Sequence, residues 1–162
     1  MRGDGPPLAD PTALLSRGIN TLCVSTPPRP PFPPGDVCYR GGGFDDRYRD
    51  FFVPGRHFRQ PAYLATSFSE HVADQFIVRA PEASKVRWLV RIDPVHKCHH
   101  VNLVRSTHVE GEQEYLFAPY STITELSATW NAGTDADAHV IELRAAVDNR
   151  AEPEDLPLAP WS

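Results

Sequence analysis

Two carboxylates, Glu112 and Glu114, lie where a glycine turn at residue 111 leads into an apolar stretch that ends at Phe117. Residues i and i+2 of a β-strand project to one face, so these carboxylates are expected side by side, about 6–7 Å apart along the backbone. Two carboxylates in one cleft can divide the roles of base and charge stabiliser. Taken alone, however, the pair is more typical of a solvated strand face at a sheet edge.

A cation, Arg40, is the second candidate for chemistry. Period-two alternation over residues 37–40 predicts a strand, which we expect to stop at the glycine run 41–43. A guanidinium at a strand end presents a fixed fork of donors that suits a phosphate or a carboxylate. For Arg40 by itself, a surface ion pair is the simpler interpretation.

Two hydroxyls, Thr66 and Ser67, form the third candidate group, after a strand predicted at residues 62–66. Ser67 with Glu70 makes a capping box, which predicts that a helix starts here. Ser67 therefore has two possible roles of equal weight, as a helix cap and as a ligand contact. The helix is expected to carry on one face Phe68, Val72, Phe76 and Ile77.

The remaining elements must position these groups. Alternating apolar residues predict a strand at residues 86–92, with Trp88 in the core, and further strands are expected at 112–117, 121–126 and 138–145. Leucine and isoleucine at helical spacing predict one amphipathic helix within residues 10–23. An early helix and many late strands indicate an α+β domain, and the absence of any GxGxxG or Walker sequence excludes Rossmann and P-loop enzymes.

Proline clusters divide the chain into three expected parts. Residues 1–35 would be an N-terminal helix with a proline-rich linker, 36–152 the folded domain, and 153–162 an extended proline-rich tail. The whole chain, 162 residues long, is one domain by length.

The three chemical groups, taken in order, resemble the mono-ADP-ribosyltransferase family of the Arg-Ser-Glu class, which includes cholera-toxin-like and ecto-enzymes. Residues 37–42 resemble its Tyr-Arg-Gly strand, residues 65–67 its Ser-Thr-Ser motif, and residues 112–117 its E-x-E loop with the following strand. Each motif is weak alone, but the order and spacing over residues 36–145 are fairly specific.

The resemblance implies an α+β fold with a split pair of small antiparallel β-sheets and flanking helices. NAD, as co-substrate, would lie in the cleft, with Arg40 on a phosphate, Gly41 beside the nicotinamide amide, and Thr66 and Ser67 supporting the ligand. Glu114 would bind the ribose hydroxyl and stabilise the ribosyl cation. Glu112 would orient an arginine acceptor and take its proton.

A further stretch, residues 55–61, lies where the family has a mobile loop over the nicotinamide and phosphates. The resemblance therefore places Phe58 and Arg59 against NAD, although simple packing is the commoner reason for an aromatic residue beside an arginine. One position departs from the family pattern, because Ala65 stands where the first motif serine is usual. Loss of a positioned donor can cost about 10–1000-fold in rate.

The implied activity is NAD-dependent ADP-ribosylation of protein arginines, with nicotinamide release and NAD hydrolysis as a side reaction. The expected partners are NAD and a target protein with an exposed arginine, and the chain is expected to be a monomeric toxin or effector. A catalytically weak binding module and an NAD glycohydrolase toxin stay open as alternatives, the first because of Ala65.

Composition and charge limit which classes of partner and cofactor we expect for this protein. A net charge of −5 disfavours nucleic acid, and no apolar run is long enough for a membrane span. The first ten residues lack a signal-peptide pattern, so we expect a cytoplasmic protein or a delivered effector. Three cysteines exclude a disulfide scaffold. No metal is expected, because neighbouring strand residues face opposite ways in the cluster His96, Cys98, His99 and His100.

Overall fold

The computed structural model describes residues 36–93, 100–101, 113–149 and 151–161. The predicted helix within residues 10–23, Glu112, and three members of the histidine–cysteine cluster lie outside these ranges. No helix in the described ranges is long and apolar enough to cross a membrane.

Eight strands and one α-helix make up the described fold. The strands are β1 Val37–Phe44, β2 His57–Gln60, β3 Leu64–Ser67, β4 Ser84–Arg91, β5 His100–Val101, β6 Glu114–Phe117, β7 Ser121–Thr129 and β8 His139–Ala145. The helix α1 is Glu70–Arg79, and a 3-10 helix, Asp46–Phe51, follows β1. The element types and their order confirm the predicted α+β class.

The sheet has two parts that meet at one residue pair. Strand order is β2-β7-β8-β4-β1-β3-β6-β5, and β1 pairs with β3 only through Tyr39 and Ser67. We call β2-β7-β8-β4-β1 the five-strand part and β3-β6-β5 the three-strand part. All described strand pairs are antiparallel except β4 with β8. The split arrangement is thus confirmed, and one parallel pair is an addition to the antiparallel sheets that we expected.

Strand β4 follows its sequence pattern closely. Val86, Trp88 and Val90 are buried, while Arg87 and Leu89 between them are partly exposed. Strand β1, in contrast, does not stop at the glycine run but continues to Phe44, because its full length pairs with β4 from Val37↔Arg91 to Phe44↔Ser84. The expected stop was wrong. Glycine weakens the interior of a strand, but pairing with β4 keeps the glycine run 41–43 in the strand.

The start of α1 also differs from the expectation. Ser67 is the last residue of β3, and the N-cap position is held by Ser69, which makes no side-chain cap. The capping box is absent because the backbone of Ser67 is extended and pairs with strands on both sides. The buried face of α1 is Ala73 and Ile77.

An aromatic cluster fills the core under the five-strand part, and the C-terminal segment completes it. The ring of Trp161 stacks on Phe52 at 5.2 Å and meets Trp88 at 5.2 Å and Phe58 at 5.7 Å. The described residues 153–161 form turns at 154–155 and 160–161 and one bridge from Leu158 to Arg59, and they pack on the domain past the proposed boundary at 152.

Candidate active site

A pocket opens where β1 and β3 diverge beneath α1. It holds about 190 Å³, less than a typical small-molecule site, so it suits one end of an extended ligand. Its lining combines a polar wall from the strands with an apolar wall from the helix: Tyr39, Arg40, Gly41, Ala65, Thr66, Ser67, Val72, Ala73, Phe76 and Glu114. The structure therefore brings together five of the residues proposed from the sequence.

The register of three strands explains this convergence. Tyr39 lies opposite Ser67, and Ser67 lies opposite Glu114, so the three residues form one row across β1, β3 and β6. Adjacent strands are about 4.8 Å apart, which places Glu114 about 10 Å from β1. A cation on β1 and a carboxylate on β6 thus line one pocket, with β3 between their strands.

Arg40 lies on the β1 side of the pocket. One terminal nitrogen of its guanidinium donates to the carbonyl oxygen of Ala65 at 2.9 Å, which links β1 to β3. Arg40 keeps exposed surface, yet the protein atoms crowded around its guanidinium lower its pKa by desolvation. An arginine stays charged at physiological pH nonetheless, and its remaining N–H groups can serve a ligand anion.

The two hydroxyls have structural partners. Thr66 is buried, and its Oγ1 donates to the carbonyl oxygen of Tyr115 at 2.6 Å. Ser67 is buried too, and its Oγ accepts a hydrogen bond from the Ser69 amide at 2.9 Å. The Thr66 hydrogen bond ties β3 to β6, and the Ser67 hydrogen bond fixes the turn between β3 and α1.

Gly41 is required by helix packing. A Cβ at this position would lie 1.8 Å from the carbonyl oxygen of Ala73 and 2.8 Å from the side chain of Ile77. No larger residue fits while α1 holds this position. That Gly41 lies beside the nicotinamide amide stays a prediction, but helix packing already explains why this position holds a glycine.

Glu114 begins β6 and is partly buried at the pocket. The residue before it, Gln113, has a left-handed backbone with φ of 44°, and its carbonyl oxygen accepts from the Phe68 amide at 3.1 Å. This contact ties the approach to β6 to the start of α1. Glu112 is outside the described residues, so the geometry of the carboxylate pair stays a prediction.

Phe58 and Arg59 lie elsewhere. They belong to β2, not to a loop, so the expected mobile loop over residues 55–61 was wrong. Phe58 is 1% exposed in the aromatic cluster. The guanidinium of Arg59 donates to three carbonyl oxygens, at Tyr120, Glu152 and Pro153. Both residues are thus used for packing and for holding the C-terminal segment, and neither lines the pocket.

Sequence reasoning missed the apolar wall of the pocket. Val72 and Phe76 were expected on one face of the helix, and Phe76 is 44% exposed at the pocket. Helical spacing identifies an apolar face without telling whether a neighbour or a ligand covers it. Within the described ranges, no group of three histidine, cysteine or acidic side chains could hold a metal ion.

Comparison of the structure with solved structures places this geometry in a known fold. The Vis toxin, an ADP-ribosyltransferase from Vibrio splendidus, matches in complex with the M6 inhibitor with a TM-score of 0.65 and 18% identity, over 83% of this chain and 57% of that one. The chain has the ADP-ribosyltransferase fold. No protein-family model and no curated protein matches the sequence.

Two further structures share the fold. Exoenzyme S from Pseudomonas aeruginosa, in complex with human 14-3-3 protein beta and bound to Carba-NAD, matches with a TM-score of 0.60 and 13% identity, over 91% of this chain and 66% of that one. The Salmonella SpvB domain matches with a TM-score of 0.54 and 17% identity, over 83% of this chain and 71% of that one. This chain spans less than three fifths of the Vis chains.

Proposed function

We propose that this protein is an NAD-dependent mono-ADP-ribosyltransferase that modifies an arginine side chain of a target protein. The observation that carries the proposal is the convergence of Arg40, Ser67 and Glu114, from three neighbouring strands, on one pocket of an ADP-ribosyltransferase fold. The chain would act as a monomeric toxin or effector.

The nicotinamide end of NAD fits the pocket better than the whole dinucleotide does. The cavity of about 190 Å³ accommodates a flat ring with part of its sugar, and Val72, Ala73 and Phe76 offer that ring an apolar wall. Arg40, at the rim, would hold a phosphate of the pyrophosphate through forked charge-assisted hydrogen bonds.

The proposed chemistry is substitution at the anomeric carbon of the nicotinamide ribose. The bond from that carbon to the pyridinium nitrogen breaks, and its electron pair leaves with neutral nicotinamide. The sugar then carries positive charge, which a carboxylate near the ribose stabilises, as in glycosidases. Glu114 would supply this negative charge while it accepts a hydrogen bond from a ribose hydroxyl.

A guanidine nitrogen of the acceptor would form the new bond and lose one proton, with Glu112 as the base. A carboxylate suits a cationic acceptor, since it attracts and orients the guanidinium before the proton leaves. The Vis toxin has been solved in complex with agmatine, a small guanidine, which supports this class of acceptor. Water in place of the guanidine would give NAD hydrolysis as a side reaction.

A catalytically weak binding module is the second candidate, and Ala65 favours it. Ala65 lines the pocket with a methyl group where the family motif has a hydroxyl. Its carbonyl oxygen receives the Arg40 hydrogen bond, so its backbone already takes part in the polar wall. A protein of this kind would bind NAD and turn it over slowly.

The test compares wild type with Glu114→Gln in an assay that follows nicotinamide release and ADP-ribose transfer to agmatine. We expect the variant to lose about 100-fold or more in both, because the transition-state charge loses its carboxylate. Glu154→Gln removes one charge from an exposed position in the C-terminal segment and is the matched control.

The outcomes separate the candidates. Transfer to agmatine that disappears in Glu114→Gln, with Glu154→Gln at wild-type rate, supports the proposed enzyme. Nicotinamide release without an adduct would favour a glycohydrolase. NAD binding without turnover would support the binding module, in which case Ala65→Ser should restore the reaction. A wild-type protein that does not bind NAD would refute the proposed function.

A further inference from the structure

Helix α1 is held against the sheet by cationic side chains of β4. One terminal nitrogen of the Arg87 guanidinium donates to the Asp74 carboxylate, and the other lies 3.5 Å from the Glu70 carboxylate. Both acidic residues belong to α1. Lys85, two residues earlier on β4, donates from Nζ to the carbonyl oxygen of Ala80, directly after the helix. Strand β4 therefore contacts α1 near both of its ends.

The two carboxylates are explained by Arg87 and not by the helix itself. Glu70 and Asp74 are four residues apart on α1, and like charges at this spacing destabilise an isolated helix. A guanidinium offers a planar fork of donors that can bind two carboxylates at once. Arg87 is partly buried, and its Nε is buried without a hydrogen-bond partner among the described residues. The side chain thus lies between strand and helix and does not extend into solvent.

Few other side chains of α1 are buried against the sheet. Within the helix, Ala73 and Ile77 are the buried residues. Ala73 faces Gly41, which pairs with Arg87 in the ladder between β1 and β4. Apolar contacts are not directional, whereas a charge-assisted hydrogen bond has a defined geometry. The contacts of Arg87 and Lys85 are therefore directional constraints on how α1 is rotated about its axis.

The rotation of α1 matters because its two flanks contact different parts of the molecule. Val72 and Phe76 lie on the flank that lines the pocket. Glu70 and Asp74 are each offset by two residues from this pair, and at 3.6 residues per turn an offset of two leads to the opposite side of a helix. A helix released from Arg87 on one flank would therefore shift the two apolar side chains on the other.

We propose that Arg87 is a positioning residue for the proposed reaction, because it holds α1 where Val72 and Phe76 form the apolar wall of the pocket. This inference rests on the proposed function, in which that wall packs against the nicotinamide ring of NAD. Arg87 does not line the pocket, so it acts through α1 and does not touch the co-substrate.

The experiment compares Arg87→Gln with Arg91→Gln. Arg91 lies four residues later on the same side of β4 and pairs with Glu142 of β8, so its loss removes the same charge without a contact to α1. Nicotinamide release at varied NAD gives kcat and KM, and added nicotinamide gives an inhibition constant. We expect Arg87→Gln to raise KM and the inhibition constant about tenfold, since misplacement far from the chemistry can cost up to about 100-fold. Arg91→Gln should change neither constant.

These constants separate a positioning role from a loss of stability. Partial unfolding removes active enzyme and lowers the apparent kcat, but it leaves KM and the inhibition constant of the remaining enzyme unchanged. Nicotinamide is neutral, so the loss of a positive charge does not by itself weaken its binding. Partly exposed ion pairs add little to stability, so both variants should fold.

A third variant, Asp74→Asn, breaks the same contact from the helix. It should raise both constants about threefold, because Glu70 still binds Arg87. Added to Arg87→Gln it should cause no further rise, since Asp74 has then lost its partner. Wild-type constants in either single variant, an equal rise in Arg91→Gln, or additive effects in the double variant would overturn the positioning role alone. A wild type that releases no nicotinamide would refute the proposed function, and the positioning role with it.

Discussion

The five-strand part and the three-strand part of the sheet are built differently. The first rests on a ladder of eight residue pairs between β1 and β4 and on an aromatic cluster that extends to Trp161. The second is joined to it by one strand pair, by the Arg40 hydrogen bond to Ala65, and by Leu64, Tyr115 and Phe117, which belong to the same hydrophobic core. The site lies at this junction, where the well-packed part presents a cation to groups carried by the smaller part.

The largest expected effect tests whether the C-terminal segment belongs to the well-packed part. Trp161→Ala removes a ring that stacks on Phe52 and contacts four other rings, at Tyr48, Phe51, Phe58 and Trp88. We expect the free energy of unfolding to fall by about 3 kcal/mol, the low end for loss of a large aromatic, since Trp161 keeps some exposed surface.

Chemical denaturation at neutral pH measures this change. Leu158→Ala, which removes an exposed side chain from the same segment, should alter the free energy of unfolding by less than about 0.5 kcal/mol. A Trp161→Ala protein as stable as Leu158→Ala would place the segment outside the cooperative core.

A smaller effect is expected where α1 meets β1 at the junction. Gly41→Ala forces its Cβ toward the carbonyl oxygen of Ala73, so α1 must move and the pocket must change shape. We expect a loss of about 2 kcal/mol in the free energy of unfolding together with weaker NAD binding.

Gly42→Ala is the matched control, because the same methyl group enters open space one residue later. Its free energy of unfolding should stay within about 0.5 kcal/mol of wild type. If the two alanine variants were equally stable, the close approach of α1 at Gly41 would have no energetic weight.

The smallest effect concerns a buried carboxylate within the five-strand part. The Glu125 carboxylate, on β7, is 1% exposed, and neither oxygen has a hydrogen-bond partner among the described residues. Desolvation by burial raises its pKa, and nearby Arg56 opposes the shift only in part. The native state therefore holds its proton to higher pH than the unfolded chain does. Its contribution to stability is present in acid, and is lost as pH rises above about 4.3 through the raised pKa.

Glu125→Leu removes the buried carboxylate and keeps an apolar chain of similar length. We expect the free energy of unfolding to rise by about 1 kcal/mol at pH 7, with a weaker fall between mildly acidic and neutral pH. Denaturant titrations from pH 4 to pH 8 measure both quantities. The exposed control Glu154→Gln should keep the wild-type pH profile, and a Glu125→Leu profile parallel to wild type would contradict the assignment.

Local patterns predicted much of the fold and the polar half of the site. Period-two alternation identified β4 because its two faces have different surroundings. The order of the motifs predicted one shared site, and the structure has these residues in one pocket: Arg40, Thr66, Ser67 and Glu114. Long-range pairing decided the rest. Ser67 is not the N-cap, because two strands pair with its backbone. Residues 57–60 form a strand because β7 pairs with them on one side and the C-terminal segment pairs with them on the other. No local pattern contains such partners.

The single pair between Tyr39 and Ser67 has a consequence for motion. Parts of a protein joined by few hydrogen bonds can separate as units before the whole chain unfolds. If β3 and β6 move together, Ser67 and Glu114 move with them, while Arg40 stays with β1. The distance between the cation on β1 and the carboxylate on β6 therefore depends on how firmly this junction is held, and a ligand bound to both would fix it.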